Sequence, residues 1–425
     1  MIAPNITSGG LASLDLAPHT LTFPIYFAQR PNILASISDK HLSLLAPILI
    51  YWALSLAYYT LDVLQLPYFE KYRLHEPEEV TKRNRVSVGQ VVRMVLLQQA
   101  IQTVLGLVVL DGDEVSYAQV FADHRGQMKV LGFTLAKWLA PLLGEQRTVE
   151  LLTAAGPSFI EFMYWWGIPT LQFFWAFLVM DTWQYFIHRA FHESRWLYRN
   201  FHSHHHRLYV PYAFGALYNH PLEGLLFDSL GGAVSHKCAL MTTRQGIALF
   251  TFATFKTVSD HGGYSLPWYL DPLHLLFPNT AAYHDVHHQM QGLRFNYSQP
   301  FFVHFDVLLG TRMSVDKFRK LVEAKKERRA EKAGGGGEGE KEVVASSTAT
   351  ASALEGSTDL RARRPVANGN GNGHSVSSAT TGGDDLPPSQ IVKDRIANSN
   401  GSLPPDPLIT LTETDYRAKA GTATA

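Results

Sequence analysis

Residues 181–207 read DTWQYFIHRAFHESRWLYRNFHSHHHR and hold six histidines. Two stand as His188-x-x-x-His192 and three more as His202-x-x-His205-His206. The second spacing returns downstream in AAYHDVHHQ, as His284, His287 and His288. On a helix, residues three and four apart share a face, so each cluster is expected to present its imidazoles from one side. A lone HxxxH arises often by chance. One HxxxH with two HxxHH clusters, set beside hydrophobic spans, is a much stronger signal. These eight imidazoles exceed what one metal takes, since a zinc site uses about four ligands. The set suits two metals, and nitrogen-rich ligation suits Fe, Zn, Cu or Ni.

Working outward, the chain has two unlike parts. Residues 41 to 313 are rich in Leu, Phe, Tyr and Trp, whereas the last hundred or so residues are polar and poor in aromatics. The formal net charge is zero, so nothing supports a nucleic-acid or acidic partner. The single cysteine, Cys238, excludes an intramolecular disulfide, a Cys-rich zinc module and an Fe–S cluster with several protein thiolates. Residues 1–40 show no basic start followed by an apolar core, so no cleavable signal peptide is expected. Asn5-Ile6-Thr7 is a glycosylation sequon that matters only on a lumenal segment.

Leu42–Leu66 is apolar except for Asp62 and long enough to cross a bilayer as a helix. The loop after it carries Lys71, Arg73, Lys82, Arg83 and Arg85, which by the positive-inside rule places it in the cytosol and the N-terminus in the lumen. Val86–Leu110 is a second candidate span, interrupted by Arg93 and several glutamines. Phe133–Leu143 is apolar but too short to span and is expected at the interface. Phe159–Ile187 runs into the first histidine cluster, with Pro169 expected to kink or divide it. Ala213–Val234 and Ala239–Val258 read as a hairpin that dips into the bilayer and returns, which puts all the clusters on the cytosolic side. Ser314–Glu331 is a charged helix at solvent or the membrane surface, and the Gly-, Ser- and Asn-rich tail that follows, with His374, buries no core.

The boxes HRAFH, HSHHH and HDVHH resemble those of the membrane fatty-acid hydroxylase/sterol desaturase superfamily. The flanking strings DTWQYFIHR, HRLYVPYAFGALYNHPLEGL and DHGGYSLPWYLDP are similar to the sphingolipid C4-hydroxylase (sphinganine C4-monooxygenase) branch found in fungi. The resemblance covers roughly residues 160–313. It implies an all-α integral membrane protein with four to five transmembrane or re-entrant helices and a cytosolic histidine-rich cap, in the endoplasmic reticulum. The corresponding divisions are 1–40, 41–158, 159–313 as the hydroxylase domain, 314–332 and 333–425. The resemblance further implies a di-iron centre that uses O2 and external electrons, the latter from cytochrome b5 and its NAD(P)H reductase. The substrate would be a sphingoid base or dihydroceramide. To the eight box histidines it adds His220 in YNHPLEG and His261 in DHGGY as ligands.

Asp181, Asp260 and Asp285 sit beside the boxes and are candidates for orienting ligand imidazoles. His204 lies out of helical phase with His202 and His205 and is expected to point away. His236, His274 and His304 have no box spacing. There is no HPGG haem motif of a fused cytochrome b5 and no GxGxxG followed by a ribose-binding acid at the right distance, so electrons are expected to come from outside. The same boxes would serve a C4-methylsterol oxidase, a C5-sterol desaturase or an alkane hydroxylase. A zinc intramembrane hydrolase would want HExxH with a general base, and His192-Glu193 lacks the second histidine. A metal carrier would string its histidines along a path instead of gathering them.

Overall fold

The computed structural model describes residues 15–334. The sequon at 5–7 and the polar tail from 335 onward, with His374, lie outside the described residues. No strand occurs among the described residues. Helix α1 (Asp39–Leu64) starts where the Ser38 hydroxyl accepts the His41 N–H and ends at Gln65, whose φ of +45° turns the chain away. Next, α2 (Pro77–Arg83) has Pro at its first turn and a Glu76/Glu79 capping box. Helix α3 (Val88–Val109) opens on a Ser87/Gln90 capping box. After α4 (Asp113–Val120), helices α5 (His124–Leu143) and α6 (Glu145–Phe162) meet at Gly144, whose φ of +82° favours glycine. Helix α7 (Ile168–Glu193) is entered through a π-helical turn at Met163–Gly167. Then come α8 (Gly231–Cys238), α9 (Thr243–Asp260) and α10 (Ala281–His288). The main unit ends at Arg319, within the terminal charged helix α11 (Val315–Gly334).

Helix α1 packs along α9, α5 against α6, and α7 against α8. Two helices, α1 and α3, are long and apolar enough to cross a membrane. Three of the glutamines that interrupt α3 face the protein, whereas Arg93 is exposed and its Nε donates to the Gly89 carbonyl at 3.2 Å. Gln98 and Gln99 are buried, and Gln102 donates to the Gly224 carbonyl at 3.2 Å. Leu97, Ile101, Val104 and Val108 point outward. An apolar outer face over a polar inner one is what a bilayer as solvent selects.

Several local expectations change. The short apolar run Phe133–Leu143 is the second half of the 20-residue α5, because the polar start of that helix packs on residues 16–27 and α6. Pro169 does divide the run as expected: a π-helical turn (Met163–Gly167) stands directly before it, and Pro169 lies in the first turn of α7. Ala213–Val234 is not one span. Ala213–Leu217 is a buried 3-10 turn, with Tyr51 donating to the Phe214 carbonyl at 2.7 Å, and the helical return starts later.

At the end of the bundle where α1 finishes, Arg73 reaches Asp62 and Glu70, each at 2.7 Å, and the Tyr264 hydroxyl donates to Asp62 at 2.9 Å. Beside it, His75 bonds Asp285 of α10 at 2.7 Å. This loop therefore clamps the segment that carries the third histidine box.

Candidate metal centre

The structure brings nine of the ten expected histidines into two adjoining groups. The first comprises His188, His192, His202, His206 and His287; the second comprises His205, His261, His284 and His288. Within each group the nearest ring nitrogens lie within 4.8 Å of one another. The rings of His206 and His288, one from each group, are 5.0 Å apart. All but His192 are buried.

Within each box the split between the two groups follows the residue offsets. Each i, i+4 pair points to one group, and the i+3 member of an HxxHH box points to the other. His202 and His206 join the first group while His205 crosses to the second; His284 and His288 join the second while His287 crosses to the first. The boxes thus interlock instead of each presenting one face. The second box is not a regular α-helix. It runs from a π-helical turn (Tyr198–His202) into a 3-10 turn (His205–Arg207).

His220 is not brought to either group. Its Nδ1 accepts the Leu222 N–H at 3.2 Å, and its ring packs on Phe201 and His204. A histidine followed by Pro221 at a helix start is in a good position to cap and a poor one to reach inward. His204 also lies outside, half-buried, with its Nδ1 3.1 Å from the Phe201 carbonyl.

The far nitrogens of the rings are held mostly by backbone. Nδ1 of His188 lies 2.8 Å from the Tyr297 carbonyl, His205 3.2 Å from Tyr218, His261 2.8 Å from Thr257, His287 2.7 Å from Phe295 and His288 2.8 Å from Leu208. His202 instead uses the buried Glu223 carboxylate. A carbonyl or carboxylate only accepts, so each Nδ1 carries the proton and each Nε2 is left with its lone pair. Those lone pairs converge. His202 Nε2 is 3.1 Å from His188 Nε2 and 2.8 Å from His192 Nε2, and His284 Nε2 is 3.0 Å from His261 Nε2 and 3.1 Å from His288 Nε2. His287 Nε2 is buried with no partner at all. Facing lone pairs repel unless a cation lies among them, so the donor set fits metal ions in both groups. Burial also keeps these imidazoles neutral, as ligands must be: it pulls His287 down to about 3, and burial together with His202 pulls His205 down to about 4.

The three aspartates have other tasks. Asp181 accepts the Phe301 and Phe302 N–H groups at 3.0 and 2.5 Å. Asp260 pairs with Lys256 at 2.5 Å, and Asp285 with His75. Glu223 was not singled out from sequence. Its place in the string HPLEG, one turn from a box histidine in the fold, is the only local signal. Asp306 was missed as well. It is fully buried and accepts from Tyr297 N, Ser298 N, Thr311 Oγ1 and Tyr283 Oη at 2.7–3.0 Å, so it holds the strap whose carbonyl orients His188.

A small cavity of about 30 Å³ touches both groups, bordered by His188, His202, His205, His261 and His284. It adjoins a cavity of about 330 Å³ among the helices, the two sharing Gln184, Asp228, Thr257 and Pro300.

Two buried groups of imidazoles, in a helical protein with two helices long and apolar enough to cross a membrane, form a candidate metal site of the histidine-box type. The fatty acid hydroxylase family profile matches residues 173–311, which contain every histidine of both groups. The chain is 38% identical over 352 residues to the sphingolipid C4-hydroxylase of Saccharomyces cerevisiae, covering 78% of this chain and 94% of the relative. It is 42% identical to sphinganine C4-monooxygenase 1 of Arabidopsis thaliana, covering 65% and 89%. A very-long-chain aldehyde decarbonylase of Oryza sativa is 41% identical, covering 67% and 93%. No solved structure gives a significant match. The chain belongs to the fatty acid hydroxylase family.

Proposed function

We propose that this protein is a di-iron membrane monooxygenase that hydroxylates C4 of a sphingoid base, producing the phytosphingosine type. The observation that carries this is the pair of all-histidine groups opening on a cavity inside the helical bundle, in a chain whose relatives of matching length are named for sphinganine or sphingolipid C4 hydroxylation. Two irons would be held by the five-histidine and four-histidine groups and would supply the activation of O2. The balance is one C4–H bond broken and one C4–O bond formed with an oxygen atom of O2. The second oxygen atom leaves as water, with two protons and two electrons.

The chain's own residues do the rest. Tyr297, Tyr218, Thr257, Phe295 and Leu208 carbonyls and Glu223 hold the imidazole faces. Gln184, Asp228 and Asn219 offer polar contacts around the small cavity for the amine and hydroxyls that lie next to C4. Burial of the histidine groups keeps bulk water from the reacting carbon.

The electrons come from cytochrome b5 and its NAD(P)H reductase. The protein spans the endoplasmic reticulum membrane several times, with the histidine cap facing the cytosol. Lys71, Lys82 and Arg85 support that orientation, whereas Arg73 and Arg83 of the same loop are buried in ion pairs.

The test is lipid analysis of cells that lack their own C4-hydroxylase and express this chain. C4-hydroxylated sphingoid bases should appear, and the His287→Ala variant should abolish them. Unchanged sphingoid bases with loss of long-chain aldehydes, the reaction named for the Oryza sativa relative, would replace this reading. A change in sterol intermediates would do the same.

A further inference from the structure

The cavity of about 330 Å³ is walled by one face of each of several helical segments. On α9 the wall is Thr243, Gly246, Phe250, Ala253 and Thr257, at steps of three and four that share one helix face. On α3 it runs from Gln99 to Leu110, and on α1 from Lys40 to Ile48. The two ends differ. Thr257, Gln184 and Asp228 also border the small cavity against the histidines. The other end is reached at Thr243 and at Lys237, which pairs with Asp111 at 2.9 Å. At 1.5 Å per residue, Thr243 to Thr257 is about 21 Å and Gly246 to Thr257 about 16 Å. A saturated chain with bonds of about 1.5 Å and angles of about 111° advances about 1.25 Å per carbon, so 14 carbons cover about 17 Å.

We propose that this cavity gauges hydrocarbon length. It takes one saturated chain with the oxidised carbon at the Gln184–Thr257 end and the terminal methyl beside Gly246, and so selects substrates with about 14 carbons beyond the oxidised one. The proposal rests on the C4 reading only in the total it gives: with C4 oxidised, the preferred base has about 18 carbons.

The position of a residue along α9 then decides what its enlargement does. A Cβ at Gly246 meets the His236 ring at 2.9 Å and Phe250 at 3.7 Å, so a larger side chain there has to displace the His236 ring, which itself lines the cavity, and narrows the far end. A larger residue at Ala253, about 6 Å from Thr257, obstructs every chain near its reacting end.

The experiment supplies saturated sphingoid bases of graded length to membranes containing the full-length protein and locates the new hydroxyl by mass spectrometry. Gly246→Leu should move the optimum to shorter chains. A base of the wild type's preferred length should lose about 10-fold or more relative to the shortest base, since one methylene in an apolar pocket is worth about that. Ala253→Leu should depress all lengths together. An unchanged length profile in an active Gly246→Leu protein overturns the gauge. Wild-type protein is also photolabelled with a base that carries a diazirine on its terminal carbon. Label within 105–111 or 236–247 supports the pose, and label confined to outward-facing residues or to the histidine end overturns it. An hydroxyl found at another carbon, with the same number of carbons beyond it, would overturn the C4 reading and leave the gauge standing.

Discussion

Substituting two adjacent histidines tests the interlocked grouping directly. His205 and His206 are both buried and lose the same atoms on replacement by Ala, yet they serve different groups. His205→Ala leaves three ligands in a four-ligand group, whereas His206→Ala leaves four in a five-ligand group. Four-ligand zinc sites bind with about 10–16 kcal/mol, so each ligand is worth about 3 kcal/mol. At 1.4 kcal/mol per tenfold, losing one ligand weakens binding by about 100-fold. The variants would be purified in detergent, dialysed against a chelator of graded strength, and assayed for metal by plasma mass spectrometry. His205→Ala should give up one metal at low chelator strength and keep the other. His206→Ala should keep both until much stronger chelation, because four nitrogens remain. His204→Ala should match wild type, since its ring reaches only the Phe201 carbonyl. Identical losses from the His205 and His206 variants, or metal loss from the His204 variant, would refute the grouping.

Asp306→Ala should lower stability by about 3–5 kcal/mol, read as a fall in the unfolding midpoint, because it strands three buried donors and the half-buried Thr311 hydroxyl at once; it should also loosen metal binding in the His188 group. Glu223→Gln keeps an acceptor for His202 but removes the charge, and should weaken metal binding in that group by about 10–100-fold without unfolding the protein. The His75 clamp should be visible in pH dependence. Burial opposes its charge, but Asp285 and Glu79 outweigh that and hold its pKa up at about 9. A raised pKa stabilises the fold fully below the unfolded value of about 6.5 and progressively less as pH rises through 9, amounting to about 3 kcal/mol. Unfolding midpoints should therefore fall between pH 7 and 9.5 in wild type and show a flatter profile in His75→Gln.

The box spacing was enough to mark the two HxxHH runs and the HxxxH as one candidate site, because i, i+3 and i, i+4 offsets are local geometry that any helical turn enforces, and the structure gathers all eight of those imidazoles. The first two apolar spans were legible for a similar reason: a bilayer demands length and apolarity, and both are read along the chain. Helix direction also ruled out His204, although the backbone there departs from the α form assumed for it. Which group each imidazole serves was not legible. That depends on how α7, the 198–207 turn and α10 face one another across the site, and no offset within one box encodes that angle. His261 and His220 looked alike in sequence, each a lone histidine in a family string. They differ only because the C-cap of α9 aims His261 at His284, while His220 spends its nitrogen capping the turn before Leu222. The aspartates beside the boxes were expected to orient the rings, but backbone carbonyls hold most of them. A carbonyl is present at every residue and so leaves no mark in a sequence, and only packing brings one from Tyr297 or Leu208, over 100 or 80 positions away, to the far side of a particular imidazole.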